Sequence, residues 1–292
     1  MLKLYTCVGD LPYVNPLFPE WEGTGYQPKY FSELTDLEYR AKRGTLQRLG
    51  IRVRTYGLYP LRVFAEVRKR HEDPPIRLAF TNPFFVPALV QRAKRDAGPV
   101  INLVYDLYPE ALQHAWAWSD RHPVVKAVSG VTRYAFRECA CTVFLGERLK
   151  AYAEHRYGTA RRGEIIEVGS DGRPFEDHPP RHVAAGESVE ILYSGMMGHM
   201  HERTTLTDLF RGDLPPGIRF TFRSNGVGYS KFREDLEAGG LADRHGIQLS
   251  GTLPSAEWVE IMKRAPVALI TMRPGAETVV MPSKTYSALV AG

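Results

Sequence analysis

Cysteine is scarce: Cys7, Cys139 and Cys141 are the only three in 292 residues. They are too few and too unevenly spaced for a disulfide framework, and one Cys-x-Cys supplies half of a tetrahedral metal site. They read instead as small buried apolar side chains. Long apolar runs are also missing, since no uncharged stretch approaches the roughly 18 to 20 residues that cross a bilayer. Residues 1–10 lack the basic start, apolar core and cleavage site of a leader, so a cytoplasmic protein is expected. Neither G-x-G-x-x-G nor G-x-x-x-x-G-K-[ST] occurs, which removes the best sequence support for nicotinamide chemistry and for a phosphate-loop NTPase.

What is present is an ordinary globular composition, 43% hydrophobic and 24% charged, with a net charge of +5. The excess is not spread evenly. Residues 1–180 hold 26 Lys+Arg against 21 Asp+Glu, whereas 181–292 hold 12 of each. Between Arg40 and Arg95 there are 14 basic residues against Glu66, Glu72 and Asp73. Because this run is interleaved with apolar residues ("LQRLGIRVRTYGLYPLRVFAEVRKR"), it suits an anionic membrane surface at least as well as a nucleic acid. A solvated helix face is the plainer alternative.

Short β-branched runs alternate with helical stretches along the whole chain. "IRLAF", a helix over "PALVQRAKRDAG" and "VINLVY" form one strand–helix–strand unit. A helix near 124–141, "CTVFLG", "ERLKAYAEHRYG" and "EIIEVG" continue the pattern. Residues 170–188, rich in Pro, Gly, His and charge, read as a linker. Then "VEILYSG", "RTTLTDLFRG", "IRFTFRSNGVG", "YSKFREDLEAGG", "IQLSG", "SAEWVEIMKRA" and "VALITM" repeat strand and helix in turn. The last of these is expected to be a buried strand. Such alternation predicts parallel sheets with right-handed crossovers, in two domains of residues 1–175 and 176–292. Ligands of such sheets bind beyond the carboxyl ends of the strands.

Two loops there share a chemistry. "YSGMMGHMHER" places Gly195 and Gly198 between a strand and a helix, and "RSNGVGYSK" does the same with Asn225, Gly226 and Gly228. Absent side chains let backbone N–H groups approach a phosphate, although a tight turn needs glycine in any case. The closing stretch "GAETVVMPSKTYSALVAG" adds a carboxylate, Glu277, and an ammonium, Lys284, with Pro282 and Ser283 setting the turn into a helix. A carboxylate accepts from hydroxyls and an ammonium neutralises phosphate, which together suit a sugar joined to a diphosphate.

The order "DLYPEAL", "VFLGERLKAYAEHRYG", "ILYSGMMGHMHE", "NGVGYSKFREDL" and "IQLSGTLPSAEWVEIMKRAPVALITMRPGAETVVMPSKTYSALVAG" resembles family 4 glycosyltransferases of the GT-B type. The likeness is greatest to bacterial cell-surface polysaccharide enzymes with a Pro-Ser-Lys-x-Tyr segment. The resemblance implies two Rossmann-like domains facing across a cleft. It also implies transfer of a hexosyl or N-acetylhexosaminyl group from a nucleotide-diphosphate-sugar to a lipid-linked or glycan acceptor, with retention. It assigns Gly195 and Gly198 to the turn facing the diphosphate and Glu277 to the donor-sugar hydroxyls. Lys284 would face the phosphates, with Arg273 and Arg203 beside it and His199, Asn225, Gly226, Pro282 and Ser283 lining the donor site. Asp106 and Glu110 would stand on the acceptor side. No cofactor is implied beyond the nucleotide-sugar substrate. No Asp-x-Asp occurs, and no metal is expected, a His199–His201 pair included.

The chain departs from that pattern in places. The position of a second glutamate holds Thr285, or Ser287 counted from the Ala-Gly end. His199 stands where relatives carry Arg or Lys, and the first turn lacks glycine. The chain stops at Gly292 where a further strand and helix are implied, so a truncated C-terminal end is expected. A catalytically inactive donor-binding partner subunit is the alternative, with a basic nucleic-acid-binding module below it. Nucleic acid is not expected as a partner. The expected location is the cytoplasm, peripheral at the inner face of the membrane.

Overall fold

A computed structural model describes residues 1–11, 14–35, 38–39, 44–167, 169–179 and 182–292. The chain divides into two compact units, Met1–Glu167 with Thr278–Met281, and Val168–Glu277 with Pro282–Gly292. The division expected after residue 175 therefore falls after Glu167. Of the basic run, Arg40, Lys42 and Arg43 lie outside the described residues, as do Pro180 and Arg181 of the expected linker.

The first unit is built on six strands: β1 (Leu2–Tyr5), β3 (Pro28–Phe31), β5 (Ile76–Phe80), β6 (Val100–Val104), β7 (Cys141–Phe144) and β8 (Gly163–Ile165). They lie in the order β3-β1-β5-β6-β7-β8, every pair parallel. Two short strands, β2 (Val8–Gly9) and β4 (Leu34–Thr35), pair separately. A parallel sheet must be covered on both faces, and strand alternation shows how. Ile76, Leu78 and Phe80 turn to one face, against Leu2, Leu4, Val8, Leu11, Val14 and helix α1 (Phe18–Gly23). Ala79 turns to the other, against Tyr59, Val63, Val67, Val86, Val90 and Ala135. The covering helices there are α2 (Thr45–Val53), α3 (Tyr59–Val67), α4 (Val86–Ala93) and α6 (Pro123–Glu138), with α5 (Glu110–Trp116) between. Helix α7 (Glu147–Tyr157) joins β7 to β8.

The helix expected to run to Gly98 stops at Ala93, and the cause is a buried cation. Arg77, fully buried on β5, donates two parallel hydrogen bonds to Asp96, Nη1 to Oδ1 at 2.8 Å and Nη2 to Oδ2 at 2.6 Å. Asp96 also accepts from the Gly98 N–H at 3.0 Å. Reaching Arg77 takes this segment out of the helix. Gly98 is not a helix stop but a point of close approach, since a Cβ there would sit 2.6 Å from the Pro75 carbonyl oxygen.

The second unit holds β9 (Val189–Met196), β10 (Ile218–Asn225), β11 (Gln248–Ser250) and β12 (Val267–Ala268), all parallel in the order β11-β10-β9-β12. Helices α8 (Thr204–Arg211), α9 (Val227–Ala238), α10 (Leu241–His245), α11 (Ser255–Arg264) and α12 (Ser283–Ala291) follow the strands. One face packs Tyr193, Phe210, Phe220, Phe222 and Phe232 together, with Phe210 edge-on to Phe220 at 4.9 Å. Truncating one of these rings to alanine would remove about 3–5 kcal/mol. The other face gathers Leu192, Ile261, Met262 and Ala291 around Phe175. Phe175 falls in the expected linker yet is a core residue, edge-on to Trp258 at 6.0 Å. "VALITM" also differs from expectation: only Val267 and Ala268 form strand, and both are exposed. The sheet order explains this, because β12 is an edge strand paired with β9 alone. The order reverses between β9 and β12, so the loops after these two strands border the switch point at which open α/β sheets bind ligands. No described helix is long and apolar enough to cross a membrane.

Candidate functional site

Beyond the carboxyl ends of β9, β10 and β12 lies a cavity of about 230 Å³. The loop after β9 contributes Gly198, His199, His201, Glu202 and Arg203; α9 contributes Val227, Gly228 and Lys231; the loop after β12 contributes Arg273. The backbone N–H of Arg273 bonds the Met200 carbonyl at 2.9 Å, which ties the first and last of these loops together. Arg203 is held by Asp235. Lys231 and Arg273 are exposed and make no ion pair among the described residues. The lining is therefore cationic.

Glu202 is the one carboxylate in this wall. Burial works to raise its pKa, but the backbone N–H groups of Thr205 and Thr204, at 3.2 and 2.5 Å, hold the carboxyl below its ordinary range. It thereby sets the protein's own anion at the N-terminus of α8. The glycine amides are also occupied. Gly198 N–H donates to His201 Nδ1 at 3.1 Å, and Gly228 N–H donates to the Met197 carbonyl at 2.9 Å. Gly226 has φ of 103°, and a Cβ there would lie 2.7 Å from the Met197 oxygen; at Gly228 the same clash is 2.8 Å. These glycines let two loops touch each other, so the amides expected to face a phosphate serve the loops, and the pocket's charge comes from side chains.

Gly195, expected in the turn, lies inside β9 with φ of 96°, where it leaves room for the stem of Lys284, whose Cε is 3.1 Å from a Cβ position. Lys284 begins the first turn of α12. Pro282, not Ser283, is the N-cap, and Ser283 is exposed. The ammonium position of Lys284 is enclosed by three groups: Tyr193 Oη at 2.7 Å, the Met196 carbonyl at 2.6 Å and His201 Nε2 at 3.1 Å. It does not itself line the cavity. His201 does, with Lys284 against its far nitrogen.

The hydrogen bonds at His201 fix the protons. Because Nδ1 accepts from Gly198 N–H, a neutral ring carries its proton on Nε2, pointing at Lys284. An ammonium has no lone pair to receive it. All the contacts close at once only when Lys284 is a neutral amine, accepting from Nε2–H and donating to Tyr193 Oη and the Met196 carbonyl. Desolvation lowers Lys284 to about 7, which brings the neutral form within reach near neutral pH. Desolvation and then the adjacent Lys284 lower His201 to about 4.

No protein-family model and no curated protein matches the chain. Solved structures do. Anabaena HepE, in complex with UDP and glucose, aligns over 100% of this chain and 78% of its own at 12% identity and a TM-score of 0.63. The UDP-forming α,α-trehalose-phosphate synthase from Burkholderia vietnamiensis aligns over 99% and 81% at 11% identity and 0.62. Sucrose-phosphate synthase from Thermosynechococcus elongatus aligns over 92% and 74% at 12% identity and 0.61. The fold is that of the GT-B glycosyltransferases.

Within this fold, the remaining expected site residues are not alike. Asn225 ends β10; its side chain donates weakly to Thr252 Oγ1 at 3.4 Å, and its Oδ1 is buried without a protein partner. Glu277 is exposed in a short 3-10 turn, Ala276–Thr278. Asp106, exposed after β6, bridges Val280 through the backbone. Glu110 does not stand open to an acceptor. It is buried at the start of α5, takes the Tyr157 hydroxyl, the Tyr152 hydroxyl at 3.2 Å and Arg156 Nε at 2.9 Å, and so belongs to the interior of the first unit.

Sequence reasoning did not assign Lys231, Glu202 or His201 to the site. Lys231 had a readable signal, a cation in the first turns after "NGVG". Glu202 had one too, an acidic residue just before a helix start. His201 had none, because its role depends on Lys284, distant in the chain.

Proposed function

We propose that the protein transfers a sugar from a nucleotide-diphosphate donor to an acceptor hydroxyl. The observation that carries this reading is the cationic cavity at the strand ends of the second sheet, in a fold shared with proteins solved with UDP and UDP-sugars. In this reading Lys231 and Arg273 grip the diphosphate, Arg203 and His199 border it, and the polar edge of Asn225 faces the donor. Glu277 accepts from sugar hydroxyls, and Asp106 serves the acceptor side. The acceptor is a glycan or lipid-linked sugar.

As the donor bond breaks, negative charge grows on the leaving diphosphate. Fixed cations stabilise that charge more in the transition state than in the bound donor. Lys284 acts one side chain behind the wall: an anion in the cavity favours its protonated form, and the added charge is felt through His201. The leaving phosphate oxygen takes the acceptor's proton on the same face, which gives retention without a strong protein base and without a metal.

Calorimetric titration with nucleoside diphosphates tests the donor site. A uridine or other nucleoside diphosphate is expected to bind, and Lys231→Ala or Arg273→Ala each to weaken it about tenfold, the size of one lost charge-assisted contact. Binding of single-stranded RNA but of no nucleoside diphosphate would overturn the reading. Binding without turnover on any sugar donor would favour the inactive partner subunit.

A further inference from the structure

From α2 through a π-helical turn, Arg54–Leu58, into α3, the chain runs as one continuous helical rod. Its inner stripe is narrow. Thr55, Tyr59, Val63 and Val67 are buried at intervals of four, with Ile51 partly buried before them. The wider π turn keeps that interval on one side. The rest of the rod faces away from the sheet, and many of its outward positions are apolar. Leu46 (84% exposed), Leu49, Val53, Tyr56, Leu58, Leu61 (68%) and Phe64 are all exposed. These seven are a third of the large apolar side chains exposed among the described residues. Leu46, Leu49 and Val53 follow the i, i+3, i+7 spacing of one helix face, and Leu61 and Phe64 repeat it on α3. A contiguous apolar face of this kind marks an interaction surface.

The charges on the rod that make no ion pair among the described residues are basic. Arg48 and Arg52, one turn apart on α2, and Arg70 are exposed and make no ion pair among the described residues. Arg68 lies over the Phe64 ring at 4.9 Å. The one acidic residue of the rod, Glu66, is turned inward to Lys3 at 2.7 Å and Lys69 at 2.6 Å. Arg54 and Arg62 answer to Glu33.

We propose that this face of the rod docks the first unit onto an anionic lipid bilayer, leucines in the acyl boundary and arginines at the headgroups. Both halves of the pattern are needed for the assignment. Aliphatic side chains at the outermost positions have no role against a nucleic-acid backbone, where stacking aromatics would be wanted. A second copy packed on the same face would bring arginines against arginines across a two-fold axis. A bilayer accepts both the leucines and the arginines. The proposal stands on the first unit alone and does not depend on the sugar-transfer reading.

Co-sedimentation with vesicles of phosphatidylcholine, with and without phosphatidylglycerol, tests it on the whole chain. Binding is expected to the anionic vesicles at low salt, falling steeply as salt is raised. Arg48→Gln with Arg52→Gln should weaken partitioning about fivefold per arginine removed. The exposed triple change Leu46→Glu, Leu49→Glu, Val53→Glu should reduce it at least about 100-fold, with circular dichroism and melting unchanged. Absence of wild-type binding to anionic vesicles at low salt would overturn the proposal. So would a triple variant that binds as well as wild type. A dimer lost in the triple variant, without vesicle binding, would assign the face to a second copy instead, and RNA binding lost in the arginine variant would assign it to nucleic acid.

Discussion

Arg77 in the first unit and Lys284 in the second are both cations drawn away from water beside a parallel sheet, yet they are surrounded differently. Arg77 has a carboxylate, Asp96, in two-pronged contact at 2.6 and 2.8 Å, and although desolvation opposes it, that partner keeps the guanidinium charged. Lys284 has a hydroxyl, a carbonyl and an imidazole, and no carboxylate among the described residues. The first charge has its counter-ion within the fold, which fits a structural role. The second has no counter-ion among the described residues, and desolvation lowers its pKa to about 7, so an arriving anion would favour its ammonium form. A buried cation with its counter-ion supplied reads as scaffold; one without it, next to a cationic cavity, is a candidate for a site.

The largest effect that could break this comparison is on stability. Asp96→Ala leaves the Arg77 guanidinium buried and unpaired and is expected to cost about 3–5 kcal/mol in urea unfolding, while Arg77→Leu with Asp96→Leu recovers much of the loss. A cost below about 1 kcal/mol would mean that Arg77 finds other partners and that the contrast is false. Next in size are Lys284→Met and Glu277→Ala, each expected to lower sugar transfer at least about 100-fold, the order of one transition-state contact. Lys284→Met should keep its circular dichroism spectrum, whereas wild-type rates in both variants would remove these residues from the mechanism.

Smaller effects lie in the pH dependence, and their sign follows from the direction of each shift. Lys284 is lowered in the folded protein from 10.5 to about 7, so between those values the unfolded chain binds more protons and stability rises with pH. His201, lowered from 6.5 to about 4, acts in the same sense in its own lower window. Chemical unfolding of Lys284→Met should lose the upper part of this rise and keep the lower. An anion prefers the ammonium form, so nucleoside diphosphate affinity should fall as pH rises through about 7. Calorimetry at pH 8 in two buffers of different ionisation enthalpy should show proton uptake on binding in the wild type and none in Lys284→Met. Equal heats for the wild type in both buffers would show that the amine is already charged.

The legible part of the fold was the part set by local pattern. Strands β5, β6, β9 and β10 stand where β-branched runs predicted them, because alternating burial along a strand is written residue by residue. The misses have a common cause in what each segment meets across space. β12 was expected to be buried and lies exposed because it pairs on one side only. Phe175 was assigned to a linker on composition, yet it meets Trp258, which lies far along the chain. Of the expected site residues in the closing segment, Arg273 lines the cavity, whereas Lys284 and Glu277 do not. Glu110 shared the sequence signature of a strand-end carboxylate, and only Tyr152, Arg156 and Tyr157 reveal it as interior.

The sequence by itself determined the alternation of strands and helices, the uneven placement of positive charge and the identity of the chemistry-bearing residues, since these depend on side-chain type and near-neighbour spacing. Tertiary structure alone decided which glycines serve a loop rather than a ligand, which leucines face outward and which lysine is desolvated. Each of those outcomes depends on what a residue meets across space, and the free energy of desolvation or of a proton is set by that company rather than by position along the chain.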